Sequence, residues 1–75
     1  MTEPTPGQGT HFWFMVIQTP NATGLYVNSY QGTWTPQPEE TRLDVFNAIR
    51  SHVEERDPRA RGGVAVAFDL QPNRL

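Results

Sequence analysis

The run Phe12-Trp13-Phe14-Met15-Val16-Ile17, flanked by His11 and Gln18, is apolar at every position. Its length suits a β-strand from about Thr10 to Thr19. Side chains alternate across a strand, so Phe12, Phe14 and Val16 share one face and Trp13, Met15 and Ile17 the other. A strand of this kind needs cover on both sides. Pro20-Asn21-Ala22-Thr23-Gly24 is a turn cluster, and Asn21-Ala22-Thr23 reads as turn rather than glycosylation acceptor. A second strand from about Leu25 to Thr35 makes it a hairpin. In that strand Tyr26, Asn28, Tyr30 and Trp34 share one face, and Leu25, Val27, Ser29, Gln31 and Thr33 the other. Gly32 marks a candidate bulge, and Pro36 and Pro38 end the strand.

The period then changes. Leu43, Phe46, Ile49 and Val53, with Val45 at the edge, form a helical stripe from about Arg42 to Arg56. Thr41 as N-cap and Asp44 three residues later form a capping-box-like pair, and Asp57-Pro58 stops the helix. Arg59-Ala60-Arg61-Gly62-Gly63 reads as a flexible connection. The last strand, Val64 to Leu70, alternates an apolar face of Val64, Val66, Phe68 and Leu70 with a smaller one of Ala65, Ala67 and Asp69.

Strand, strand, helix, strand predicts an α+β fold of β-β-α-β order. A crossover through the helix sets the third strand parallel to the second. It can then pair with the first, giving a three-stranded antiparallel sheet of order 2-1-3 with one helix on one face. The domain spans 10–71. Residues 1–9, with two Pro and two Gly, are expected to be a disordered tail, and 72–75 a short C-terminal tail. The helix leaves one sheet face open. The register decides which, since a one-residue slip inverts every side chain.

Composition narrows the classes of function. The 75 residues carry a net charge of −2 and no Cys, so disulfides and thiolate metal sites are excluded. A small core without such staples leans on oligomerisation. No apolar run reaches membrane-spanning length, and the N-terminus lacks a signal-peptide pattern, so the chain reads as cytoplasmic. All six basic residues are Arg, which fits a GC-rich genome better than a need for guanidinium. His11 and His52 lie apart on a strand and a helix. Adjacent Glu39-Glu40 and Glu54-Glu55 read as solvated surface, because neighbours on a helix diverge. No nucleophile elbow or phosphate loop is present, and the reading is not an enzyme, with no cofactor and no metal.

The expected function is therefore a small non-catalytic interaction module. It self-associates as a homodimer, or binds a protein partner, through the open sheet face. Phe12, Trp13, Phe14, Met15, Tyr26, Tyr30 and Trp34 are the candidate interface. The alternative is a single-stranded nucleic-acid binder that stacks bases on Tyr26, Tyr30 and Trp34 and contacts phosphates through Arg56, Arg59 and Arg61. Against it stand Glu54, Glu55 and Asp57, which neutralise that basic cluster. The phrases His-Phe-Trp-Phe-Met-Val-Ile-Gln-Thr-Pro (11–20) and Ala-Phe-Asp-Leu-Gln-Pro-Asn (67–73) resemble short proteins of GC-rich Gram-positive bacteria. That resemblance spans 10–75 and implies a bacterial source, but it carries no activity and no site residues.

Overall fold

The computed structural model describes residues 7–75. Most of the expected N-terminal tail, 1–6, lies outside them. Strand β1 spans His11–Asn21, β2 Gly24–Trp34 and β3 Val64–Pro72. Helix α1 spans Arg42–Arg56. The sheet order is β2-β1-β3 with both pairings antiparallel, so the apolar strand is central. The hairpin closes more tightly than its turn cluster suggested. Asn21 pairs with Gly24 across Ala22-Thr23, and the Asn21 Oδ1 accepts from the Thr23 backbone N–H at 2.9 Å. The residues ahead of β1 are tied down: the Gly9 N–H donates to Thr33 Oγ1 at 2.9 Å, and the Asn73 N–H to the Thr10 carbonyl at 2.8 Å.

Register settles the open question of faces. Met15 stands opposite Tyr30 on β2 and Phe68 on β3, and Trp13 opposite Gly32 and Leu70. Trp13, Met15 and Ile17 are buried against Val45, Ile49 and Val53 of α1, with Ala60 completing the core. Burial of such side chains stabilises by roughly 1.5–3 kcal/mol each. The face bearing Phe12, Phe14 and Val16 is therefore the one left without a helix.

Three expectations are corrected. First, the β1–β2 register runs through Gly32 without a shift, so Gly32 is no bulge. The Trp13 indole lies on it, and a Cβ there would meet ring atoms at 3.1–3.2 Å. The irregularity falls instead on β3. Val16 pairs with Ala67 and Ile17 with Ala65, leaving Val66 without a partner. This extra residue shifts the parity of the strand. Phe68 and Leu70 point to the core, while Val64, opposite Gln18, turns to the other face. The expected single apolar face of β3 is thus split between both sides.

Second, the buried helical stripe is Val45, Ile49 and Val53, with Phe46 half-buried and edge-on to Phe68 at 5.0 Å. Leu43 is 65% exposed. At 3.6 residues per turn it sits about 120° from Ile49, too far round to share its face. The capping box does form: the Asp44 N–H donates to Thr41 Oγ1 at 3.1 Å and the Thr41 N–H to Asp44 Oδ2 at 3.0 Å.

Third, the connection after α1 is structured. Pro58–Ala60 forms a 3-10 turn whose Ala60 is buried. Gly63 is also buried, pressed against Thr19 and Ile17 of β1. Only a hydrogen side chain fits there.

Candidate functional site

Two regions collect the residues singled out by the sequence, one on each side of the sheet. On the helix side, Tyr26, Tyr30 and Trp34 line β2 beside the C-terminal end of α1. Because α1 stops at Asp57, that carboxylate is delivered to both tyrosines. Tyr30 Oη donates to Asp57 Oδ2 at 2.7 Å and Tyr26 Oη to the same oxygen at 2.8 Å. Arg59 donates to Oδ1 at 3.0 Å from its side chain and at 3.2 Å from its backbone, and its guanidinium lies 4.5 Å from the Tyr26 ring centroid. The Asp57 side chain is 12% exposed.

Hydrogen bonds from Tyr30, then Tyr26, hold Asp57 well below the usual carboxylate range, with Arg59 adding to them against the opposing effect of burial. Burial, then the bond to Asp57, pushes the Tyr30 phenol above its ordinary value. For Asp57 the folded value lies below the unfolded one. Its contribution to stability is present above about pH 4 and is lost as pH falls from there toward the folded value. Asp57→Asn is thus expected to lower the urea midpoint at pH 7, with the gap to wild type narrowing between about pH 4 and pH 2. Urea titrations at several pH values check this. A gap of constant size across that range would remove the ionic role given to Asp57.

Other side chains make contacts as well. Trp34 meets His52 edge-on at 6.0 Å, Arg50 pairs with Glu54 at 3.0 Å, and His11 Nδ1 lies 2.9 Å from Thr10 Oγ1. A cleft of about 250 Å³ opens beside Trp13, Tyr30, Gln31, His52, Val53 and Arg56. Of the three arginines considered for phosphate contacts, Arg59 is bound to Asp57, Arg56 lines this cleft and Arg61 is exposed. Tyr26, Tyr30 and Trp34 are half-buried beside the helix, and the two tyrosine hydroxyls are committed to Asp57. Among the described residues no group of three or more His, Cys, Asp or Glu side chains could hold a metal ion. No helix among them is long and apolar enough to cross a membrane.

The opposite side is different in kind. Here β1 presents Phe12, Phe14, Val16 and Gln18, β2 presents Leu25, Val27, Ser29, Gln31 and Thr33, and β3 presents Val64, Ala67, Asp69 and Gln71. Leu25, Val27, Val64 and Val66 are each more than half exposed, and Phe12 is 38% exposed. Gln18, Pro20, Leu25, Val64 and Val66 form a shallow apolar hollow at the hairpin end. Of the seven interface candidates, Phe12 and Phe14 lie on this open face. Trp13 and Met15 are core, and Tyr26, Tyr30 and Trp34 face the helix. The sequence reading missed Val64 and Val66 as surface residues, because only the bulge turns them outward. Asp69 is the one ionisable side chain that the three strands place on this face. Compared with known proteins, the chain matches no family model, no curated protein and no solved structure.

Proposed function

We propose that this chain is a small non-catalytic interaction module that associates with a second copy of itself through the open sheet face. The carrying observation is the collection of Phe12, Leu25, Val27, Val64 and Val66 on one sheet face with no second layer over it among the described residues. Exposed apolar patches of this kind mark interaction surfaces. Two sheets packed about 10 Å apart would cover each other. The face suits a second copy because Asp69 is the only charged side chain that the three strands place on it. Like surfaces can then meet without repulsion, whereas a charged partner would find little to pair with. The non-catalytic part is supported by the use of Asp57, Glu54 and His52 in structural contacts.

The test is the double substitution Val64→Glu/Val66→Glu, read by sedimentation velocity. Both side chains are exposed on β3, so the change in fold stability should stay within about 0.5 kcal/mol per site. The expected result is loss of one association step relative to wild type. An unchanged assembly in the variant overturns the reading, as does a wild type that stays monomeric at high concentration. A second protein that displaces self-association would replace the second copy as the occupant.

A further inference from the structure

The two edges of the sheet are built differently, and the difference points to a second interface independent of the open face. Edge strands expose unpaired backbone N–H and C=O groups, and proteins blunt them with charges, Pro, bulges or covering segments. The β3 edge has such devices: the bulge at Val66, Asp69, and Pro72 at its end. Among the described residues the β2 edge has none. Gly24–Trp34 is an 11-residue strand with no Pro and no charged residue, in unbroken register with β1. Among the described residues no strand pairs with its outer side. The Ser29 N–H, at the middle of this strand, takes the Asn28 side-chain oxygen at 3.0 Å rather than a neighbouring strand.

We propose that two copies join edge to edge through β2, antiparallel about a two-fold axis near Ser29, to make a six-stranded sheet. A two-fold perpendicular to the sheet keeps both helices on one side and both open faces on the other. A register centred on Ser29 overlaps all 11 residues of β2. It sets Val27 opposite Gln31 and Leu25 opposite Thr33 of the second copy, so no like charges meet. The contact is isologous and closes on itself. The bulge and Pro72 on the outer edges oppose further growth into a filament.

The edge contact also brings the open face to a workable size. Three strands of this length project only about 500 Å² from strand spacing and rise. A standard interface takes about 800 Å² from each partner. Six strands supply about 1,000 Å². Two such sheets packed by their open faces form a tetramer with helices outside.

Backbone amide exchange by NMR, with sedimentation velocity, separates the two interfaces. In Val64→Glu/Val66→Glu, a dimer is expected whose Ser29 amide exchanges at least roughly tenfold more slowly at high than at low protein concentration. Ser29→Pro removes the edge N–H and should lose the edge dimer and, with it, the tetramer built from two six-stranded sheets. The amide measurement does not depend on that variant folding. Edge pairing is overturned if the Ser29 amide exchanges at one rate at all concentrations, or if folded Ser29→Pro assembles as wild type does. An edge-paired dimer as the largest species of the wild type, unchanged in Val64→Glu/Val66→Glu, upholds the edge and sinks the open-face reading alone.

Discussion

Met15→Ala is expected to lower the midpoint of thermal unfolding by at least about 10 °C. Met15 lies at the centre of the sheet between Tyr30 and Phe68 and is fully buried beneath α1. Truncating such a side chain costs about 2–5 kcal/mol, because lost transfer energy adds to an unfilled cavity. A domain of 75 residues has a total stability of roughly 4–11 kcal/mol at typical values per residue. The substitution therefore consumes a large share of it. For a domain of this size each kcal/mol shifts the midpoint by about 4–8 °C. Met15→Leu, which conserves volume, should cost less than about 1.5 kcal/mol. Calorimetry of both variants checks the pair. Equal small effects would mean that the β1–α1 contact is not the centre of the core.

Gly63→Ala is expected to destabilise by about 1–3 kcal/mol, the usual cost of forcing a methyl group into packed space. A Cβ at this position would lie 2.3 Å from Thr19 Oγ1, 2.6 Å from Ile17 Cγ2 and 3.0 Å from the Gln18 carbonyl oxygen. The last is backbone of the central strand and cannot swing away. The Gly63 carbonyl also accepts a hydrogen bond from the Arg50 guanidinium, so the connection is held from both sides. Thr19→Ala should restore part of the loss in the double variant. It removes the nearest clashing atom, a buried hydroxyl oxygen with no hydrogen-bond partner among the described residues. The two substitutions are then non-additive, as expected for residues in contact. Denaturant midpoints of the two single variants and the double decide it. Strict additivity would mean that the close approach at Gly63 has relaxed in another way.

The elements themselves were legible because each carries a local signal. Thr41 and Asp44 announce the start of α1, Asp57-Pro58 its end, and Asn21 to Gly24 the hairpin turn. The order β2-β1-β3 followed from connectivity and from the apolar run at 12–17, whose composition demands the central position. The helical stripe was misread at Leu43, which is exposed, and at Val45, which was set at the edge and belongs to the buried arc, because apolar side chains lie on both flanks of that arc. The Asp57 cluster was not legible at all. Asp57 is 27 and 31 residues from the tyrosines it binds, and in sequence it reads only as a helix stop.

The sequence by itself determined that this chain has two large apolar faces in one strand and only one helix to cover them. That conclusion needs only the period of a strand and a count of elements. Which face the helix takes was decided by tertiary structure, through the pairing of Met15 with Tyr30 and Phe68. Tertiary structure also decided what the open face contains. One unpaired residue, Val66, reverses the parity of β3 and carries Val64 to the surface. A strand has a period of two, so a single inserted residue changes sides for everything beyond it. No local pattern in Val64 to Leu70 announces that residue, because the bulge is a property of the pairing with β1 rather than of the strand alone.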